Sequence, residues 1–249
     1  MIDKIEGAPG ASPVAVTVDL VIFTVRQDEL QVLLIDRGKE PYLGLCALPG
    51  GYVRDGEPLE EAALRELSEE TGLDGRRLHL EQLRAYGAPE RDPRGRVITV
   101  AYLALSPDLP LPVAGTDAQA AHWTSVDSLL DGRIELAFDH CAILREALER
   151  ARSLLEYTTV AAAFCPEPFS VGDLRRIYEV VWGIPLDPSN FRRKVTRAER
   201  FLEPTGERRR SETGRPAALY RRGTARLLFP PLLRCGDVAR AQFTSATLR

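Results

Sequence analysis

The sequence predicts an α/β protein with two domains, and three observations lead to this prediction. Its 249 residues exceed the roughly 100–150 residues of an average domain. Hydrophobic residues make up 44% of the chain, which allows a sizeable core. Strand-like segments surround one acidic helix in the first part, whereas helical patterns follow in series after residue 154. We therefore expect domains at residues 12–154 and 155–223, followed by a tail at 224–249.

The net charge of −3 is unevenly distributed. Residues 157–249 contain 17 Lys and Arg against 9 Asp and Glu, so this part carries +8 and the remainder carries −11. For the basic part, nucleic acid is the leading candidate partner. Charge alone, however, favours a solvated basic surface without a specific partner.

The first domain contains four segments rich in β-branched and other apolar residues. Residues 14–26 and 31–36 flank a polar turn and are predicted to pair as strands. Further strands are predicted at 78–86 and 97–105, separated by a turn that contains proline and glycine.

Two helices are predicted in this domain. One begins at Pro58, whose missing N–H has no partner in a first helical turn, and ends at Gly72, which suits a left-handed C-cap. The other spans residues 138–156, where apolar residues recur at a helical period, and Asp139 is a candidate N-cap for it.

The second domain shows three helical patterns, at residues 155–164, 171–182 and 189–200. Two short strands are predicted after them, at 201–203 and 217–221, with a basic loop between the strands. Three helices and a two-stranded ribbon make a winged helix-turn-helix, which binds DNA in many proteins. The tail has only weak structural patterns.

Three glutamates of the first helix have the spacing of a metal site. Glu66, Glu69 and Glu70 stand at i, i+3 and i+4, so their carboxylates lie within an arc of roughly 100°. Such like charges destabilise a bare helix, whereas a hard cation such as Mg²⁺ or Mn²⁺ prefers oxygen ligands and reverses that cost. Arg65 is placed to pair with Glu57 or Glu69.

Cysteine and histidine show no paired spacing. Four cysteines and three histidines are scattered along the chain, which argues against disulfides and against a structural zinc site. The cysteines are expected to be buried apolar residues, and metal chemistry is expected to rest on carboxylates. No apolar run of about 18 residues is present, so we expect a cytoplasmic protein with no membrane partner.

Residues 51–73, GYVRDGEPLEEAALRELSEETGL, resemble the Nudix box of hydrolases that cleave nucleoside diphosphates linked to another moiety. The resemblance implies an α/β/α Nudix sandwich with a mixed sheet and a Mg²⁺- or Mn²⁺-dependent reaction. It assigns metal binding to Glu66, Glu69, Glu70 and the carbonyl of Gly50, with one late glutamate as base. It assigns catalytic roles to these glutamates and to Arg65 and Glu57. A solvent-facing acidic helix explains the other glutamates but not the complete pattern.

Residues 91–96, RDPRGR, resemble a segment of ADP-ribose-type Nudix enzymes. That resemblance implies that Arg91, Arg94 and Arg96, together with Gly51, bind the substrate. A plain hairpin turn explains the proline and glycine of this segment equally well.

The chain beyond the box resembles the Nudix-related transcriptional regulators of NAD metabolism. The resemblance rests on residues 157–159, 191–194, 205–206 and 214–221. It implies a homodimer that binds a double-stranded DNA operator and is released by ADP-ribose or a related nucleotide. Many of those regulators have a degraded box, whereas this box is intact.

The basic residues of the last helix and the wing are the candidate DNA contacts. Phe191 and Val195 are expected to face the core, which leaves the helix's basic residues for phosphates or base edges. The predicted DNA-binding residues are Asn190, Arg192, Arg193, Lys194, Arg197, Arg208, Arg209, Arg210 and Arg215.

Three functions remain open on the sequence. The first is a hydrolase-type sensor of ADP-ribose that controls a winged-helix regulator, of NAD or sugar metabolism. The second is a housekeeping ADP-ribose pyrophosphatase that does not bind DNA. The third is a repressor that senses the nucleotide without hydrolysing it.

Overall fold

The computed structural model describes residues 13–75, 78, 80–107, 118–210 and 216–234. In these residues, the first domain contains seven strands and three α-helices. The strands are β1 (Ala15–Arg26), β2 (Glu29–Arg37), β3 (Cys46–Ala47), β4 (Gly50–Tyr52), β5 (Glu81–Tyr86), β6 (Val97–Leu105) and β7 (Ala118–Ser125). The helices are α1 (Leu59–Thr71), α2 (Val126–Leu130) and α3 (His140–Tyr157).

The strands form one mixed sheet around β1. Strand β1 pairs in parallel with β6 and antiparallel with β2 and β4, and β6 continues the sheet to β5. Strand β2 also pairs with β3 and with β7. The central strand is buried on both faces, which explains its nearly continuous apolar sequence.

Helices cover both faces of this sheet. Leu20 and Ile22 of β1 pack in one apolar cluster with Leu67 of α1. Val21 and Phe23 point to the opposite face, where the cluster is formed with buried residues of α3. The domain is therefore an α/β/α sandwich with a mixed sheet, and the predicted fold class is confirmed.

Helix α1 ends where the sequence predicts. Gly72 has a φ of 68° and its N–H donates to the carbonyl of Ser68, so a left-handed residue closes the helix. Pro58 occupies the N-cap rather than the first helical turn. Strand β5 begins at Glu81, three residues later than predicted.

The second domain departs from prediction in its first helix. Helix α3 continues to Tyr157, and an extended Thr158 ends it. A short 3-10 helix (Val160–Phe164) then replaces the α-helix expected at 155–164. It is followed by α4 (Val171–Trp182) and α5 (Pro188–Arg197).

Helix α5 is shorter than predicted, whereas α4 agrees with prediction. Ser170 and Asp173 form a reciprocal capping box at the start of α4. The extended conformation of Ala198 ends α5, and Arg200 has a φ of 54°, so the helix cannot reach residue 200.

The wing is a three-stranded sheet rather than a two-stranded ribbon. Its strands are β8 (Phe169–Ser170), β9 (Leu202–Arg209) and β10 (Ala217–Arg222), in the order β8-β10-β9. Strand β9 is longer than predicted, so Arg208 and Arg209 belong to a strand and not to the loop between strands.

The first part of the tail is packed against the domain. The N–H groups of Leu228 and Leu232 donate to the carbonyls of Tyr157 and Glu156 at the end of α3, each at 2.9 Å. Both leucine side chains are buried in the core. Residues 224–234 are therefore packed against the domain although their sequence pattern is weak, and residues 235–249 lie outside the described part. No helix in the described residues is both long and apolar enough to cross a bilayer.

We expect Leu228→Ala to lower the free energy of unfolding by about 2–4 kcal/mol, because it leaves a cavity in the core. Leu227→Ala is the matched control, since the Leu227 side chain is 71% exposed and that of Leu228 is 5% exposed. Urea denaturation followed by circular dichroism measures both changes. Equal effects of the two substitutions would contradict the packing of this segment.

Candidate functional site

A polar cavity of about 460 Å³ opens at the junction of β4 and α1. Strands β1, β2 and β4, helix α1, the loop after β5 and the start of α3 all contribute to its walls. Of the residues predicted for the nucleotide site, Gly50, Gly51, Arg65, Glu66, Glu69, Glu70, Arg91 and Arg94 line it. Glu57 and Arg96 do not line the cavity directly.

Arg65 organises the carboxylates on the helix side of the cavity. Its Nε and Nη2 donate to the two carboxylate oxygens of Glu57 at 2.6 and 2.8 Å. Its Nη1 donates to Glu66 at 2.6 Å and to Glu69 at 3.2 Å. Nη2 also donates to the carbonyl of Tyr52 at 3.0 Å. The structure thus brings together both pairings predicted for Arg65, and the guanidinium clamps the loop before α1 onto the helix.

Glu57 acts in this clamp and not in the cavity wall. The Arg65 guanidinium, with the N–H of Arg54, lowers the pKa of Glu57 to about 2. Glu57 is therefore ionised throughout the neutral range, and it is placed to position Arg65.

Gly51 allows the carboxylate of Glu66 to approach the backbone of β4. A Cβ atom at position 51 would overlap the Glu66 carboxylate. Burial raises the pKa of Glu66, although Arg65 opposes this effect. The glycine is therefore needed for a close contact between β4 and the half-buried carboxylate of Glu66.

Glu70 is held by Gly50, the other glycine of β4. The N–H of Gly50 donates to Oε2 of Glu70 at 2.8 Å, and the Glu70 side chain is buried. A Cβ at position 50 would overlap the carbonyl of Val18. Both glycines of the loop thus position a glutamate that the sequence assigns to metal binding.

The donor set of α1 fits a hard divalent cation. Glu66, Glu69 and Glu70 supply carboxylate oxygens on one helix face beside the Gly50 backbone. Among the described residues, their oxygens do not form a group in which all lie within 4.8 Å. Arg65 and Arg54 hold Glu66 and Glu69, so part of the charge that a cation would neutralise is balanced by arginine.

Asp19, which is paired with Gly50 across β1 and β4, forms a buried pair with His140 that sequence reasoning missed. His140 Nδ1 accepts a hydrogen bond from the N–H of Leu48 at 2.9 Å, and its Nε2 lies 3.6 Å from Asp19. Burial lowers the pKa of His140, so the ring is neutral at pH 7. Leu48 and His140 are 92 positions apart in the chain, so no local pattern of the sequence indicates this contact.

Arg91 lines the cavity with its charge already balanced. Its Nε and Nη2 bind the carboxylate of Asp139 at 2.9 and 2.7 Å, and Nη2 lies 3.4 Å from Asp19. Asp139 occupies the N-cap position of α3, but its side chain makes no capping hydrogen bond. The predicted capping by the Asp139 side chain is thus wrong, because its carboxylate binds Arg91 instead of a backbone N–H of α3.

Arg94 stands between two aromatic rings at the cavity mouth. Its guanidinium lies 5.3 Å from the ring centres of Tyr52 and of Phe138, and it is paired with Asp92 at 2.6 Å. Arg37 lies on the Phe138 ring at 4.7 Å. Two arginines and two rings form a surface for an anionic ligand with a flat group.

Arg96 points away from this surface. Its Nη1 donates to the carbonyl of Gly87 at 2.6 Å, so it stabilises the turn. Its assignment to substrate binding stays a prediction that the geometry does not support.

The basic face of α5 is exposed as predicted. Phe191 and Val195 are buried, and the Asp187 side chain caps the helix through the N–H of Asn190 at 2.7 Å. The exposed side chains of the helix include Asn190, Arg192, Arg193, Lys194 and Arg197. Arg193 donates to Asn190 at 2.6 Å, whereas none of the described carboxylates pairs with the other three basic residues.

The wing arginines differ in their environments. Arg208 and Arg210 are exposed. Arg209 forms an ion pair with Asp173 of the α4 capping box, so it ties the wing to that helix. Arg215 lies outside the described residues.

Cys46 is not the apolar residue that the sequence predicts. It is half-buried and its Sγ donates to Asp36 at 3.4 Å, with His122 also nearby. Cys165 is buried as expected, and Cys141 is half-buried.

Family profiles match both parts of the chain. Residues 15–149 match the NUDIX domain, and residues 161–222 match the NrtR DNA-binding winged helix domain. The ADPR responsive transcriptional repressor NtrR of Acinetobacter baylyi is 35% identical over 207 residues, which cover 82% of this chain and 80% of the relative.

Two further relatives match one or both domains. The ADP-ribose pyrophosphatase of Methanocaldococcus jannaschii is 40% identical over 134 residues, 53% of this chain and 72% of the relative. Shewanella oneidensis NrtR in complex with a 27mer DNA is 34% identical with a TM-score of 0.69, over 88% of this chain and 99% of that chain. Its NUDIX domain in complex with ADP ribose is 34% identical with a TM-score of 0.54, over 59% of this chain and 94% of that chain.

We expect Gly51→Ala to weaken binding of Mn²⁺ by about 10-fold or more, because the new methyl group displaces the carboxylate of Glu66. Gly87→Ala is the control, since a Cβ there would lie at an ordinary 3.4 Å from Ile98. Electron paramagnetic resonance of free Mn²⁺ measures the affinity of each variant. If the Mn²⁺ affinity of Gly51→Ala is unchanged, Glu66 is not part of the metal site.

Proposed function

This chain belongs to the Nudix family and, within it, to the NrtR-type proteins with a C-terminal winged helix, and we therefore propose that it is an ADP-ribose-responsive transcriptional repressor. One observation carries the proposal. The carboxylate-lined cavity and the basic face of α5 belong to domains that share one continuous apolar core. A ligand in the cavity therefore contacts a body that includes the DNA-binding domain.

The cavity has the chemistry of an ADP-ribose site. Arg37 offers positive charge to a diphosphate, and Phe138 and Tyr52 offer flat surfaces to a base or ribose. Arg94 lies on both rings, with its charge balanced by Asp92. Arg91 contributes shape and orientation, since Asp139 already compensates its charge. Both the Acinetobacter baylyi repressor and the solved NUDIX domain of Shewanella oneidensis NrtR are named for this ligand, which supports its choice here.

We also propose that Mg²⁺ or Mn²⁺ joins the diphosphate in the cavity. Glu66, Glu69, Glu70 and the carbonyl of Gly50 are the residues that would hold it. When bound, such a cation polarises a phosphoryl oxygen and lowers the pKa of an attached water. The chain's own contribution is to orient these oxygens through the Arg65 clamp and the Gly50 N–H.

Hydrolysis of ADP-ribose is a second proposed activity. Nudix hydrolases act on nucleoside diphosphate derivatives, and this chain retains every carboxylate of the box. The 40% identity with an ADP-ribose pyrophosphatase supports turnover by this domain. Glu70 is the proposed base, because the Gly50 N–H fixes its carboxylate in the cavity wall.

For DNA binding we propose α5 as the helix that enters the major groove, with the wing beside it. The exposed basic residues Arg192, Lys194 and Arg197 are available for phosphates or bases. Arg193 joins them through its contact with Asn190, and Arg208, Arg210 and Arg215 are assigned to the wing. Arg209 is less available to DNA, because its side chain forms an ion pair with Asp173. The homodimer and the regulated pathway stay predictions of the resemblance.

We expect the full chain to bind duplex DNA from upstream of its own gene or of neighbouring genes, and ADP-ribose to weaken this binding by at least 10-fold. Arg197→Ala is expected to weaken DNA binding and to reduce the salt slope by about 0.9 if one phosphate contact is lost. Arg145→Ala is the control, because Arg145 is an exposed arginine of α3 in the other domain. Fluorescence anisotropy measures the DNA affinity of the wild type, with and without ADP-ribose, and of each variant. If ADP-ribose does not change the DNA affinity of the wild type, the repressor mechanism is rejected.

Glu70→Gln is expected to lower kcat for ADP-ribose hydrolysis by about 10²-fold or more. Release of DNA by ADP-ribose is expected to persist, since glutamine still accepts the hydrogen bond from Gly50. Glu61→Gln, an exposed substitution on the same helix, serves as the control. Chromatographic detection of AMP measures turnover. If the wild-type protein does not hydrolyse ADP-ribose, the enzymatic proposal is rejected. The proposal that the protein senses ADP-ribose would still stand.

A further inference from the structure

A second group of metal-ligating side chains lies outside the cavity, on strands β2, β3 and β7. Asp36 on β2 is directly opposite Cys46 on β3, and Leu34 of β2 is directly opposite His122 on β7. Paired residues and residues two apart share a face of a sheet. The three side chains of Asp36, Cys46 and His122 therefore project from one face.

The distances within this group lie within about half an ångström of the edges of a tetrahedral zinc site. Zinc bonds of about 2.0–2.3 Å at tetrahedral angles separate neighbouring ligand atoms by about 3.3–3.6 Å. Here Asp36 Oδ1 lies 3.0 Å from His122 Nε2 and 3.4 Å from Cys46 Sγ. Cys46 Sγ lies 4.0 Å from His122 Nε2. Shifts of a few tenths of an ångström are enough to close these atoms around one ion.

We propose that Asp36, Cys46 and His122 bind a zinc-class divalent cation, at a site separate from the carboxylates of α1. One thiolate, one imidazole and one carboxylate suit zinc, whereas Mg²⁺ prefers oxygen ligands alone. None of the three residues lines the cavity. In the part of the chain that the structure describes, this is the one group of three potential ligands within 4.8 Å of one another.

The neighbouring residue Thr124 completes the site. Its hydroxyl lies 2.9 Å from His122 Nδ1. A hydroxyl both donates and accepts, so it can accept a hydrogen bond from Nδ1–H once Nε2 binds the metal. Cys46 gives up its thiol proton to solvent, so about one proton leaves for each cation that binds.

A catalytic cysteine explains the group less well. In a nucleophilic triad the acid orients the imidazole through the nitrogen opposite the nucleophile. Here Asp36 and Cys46 approach the same nitrogen of His122, and Thr124 occupies the other. Burial and Asp36 also raise the pKa of Cys46 to about 11, so the metal-free thiol is protonated and weakly nucleophilic.

The site borders the loop that leads to the cavity. The carbonyl of Cys46 accepts a hydrogen bond from the N–H of Ala137 at 2.8 Å. Two residues later, the N–H of Leu48 donates to His140 at 2.9 Å. A cation held by β2, β3 and β7 would fix β3 in this position and stabilise the wall of the cavity.

Cobalt substitution tests the proposal on the full chain. The protein is stripped with a chelator and titrated with Co²⁺ in the presence of excess Mg²⁺, which competes at the all-oxygen site. We expect one equivalent of Co²⁺ to produce thiolate-to-cobalt charge-transfer absorption and one equivalent of Zn²⁺ to remove it. Cys46→Ser is expected to abolish this absorption, and His122→Gln to weaken Co²⁺ binding by about 10-fold or more.

Cys141→Ser is the matched control, since Cys141 is also half-buried but lies on α3. It is expected to retain the full absorption. Circular dichroism and ADP-ribose binding show whether each variant is folded. The proposal is overturned if the wild type shows no stoichiometric charge-transfer band, or if folded Cys46→Ser retains it. Neither result decides the proposals for DNA binding or ADP-ribose hydrolysis, which rest on other residues and are tested separately.

Discussion

The packing of α3 against both domains is the constraint on which the rest of the structure depends. At its start, His140 lies in the cavity wall and Asp139 holds Arg91. Near its end, Arg152 donates to the carbonyl of Val181 at 3.0 Å, and its own carbonyl accepts from Trp182 at 3.1 Å. The same helix therefore forms the wall of the cavity and the attachment of the winged helix. The two places are joined by one continuous helix rather than by a linker.

The cavity is built from charges that are balanced before any ligand arrives. Arg65 neutralises part of the glutamate cluster, and Asp139 neutralises Arg91. A buried charge without a partner is costly, so these pairs keep the cavity stable in its folded form. Arg37 and Arg94 lie against aromatic rings at the mouth, where a charged ligand meets them first.

The two domains and much of the carboxylate cluster could be predicted, because their patterns are local. The helical spacing of Glu66 and Glu70 follows from the period of an α-helix, and the ends of that helix follow from its proline and glycine. The first helix of the second domain was predicted wrongly, since the apolar residues 160–164 suit an α-helix by composition but form a 3-10 helix after the extended Thr158. The length of β9 was also missed, because its polar residues lie on an exposed wing.

By itself, the sequence determined the fold class, the acidic face of α1 and the basic face of α5. These properties depend on residues within a few positions of one another, where backbone period decides which side chains share a face. Only the tertiary structure decided that Arg91 is compensated and that Asp19 faces His140. It also brought Asp36 to His122, which lies 86 residues away in the chain. Such contacts depend on strand order and register, which local patterns do not encode.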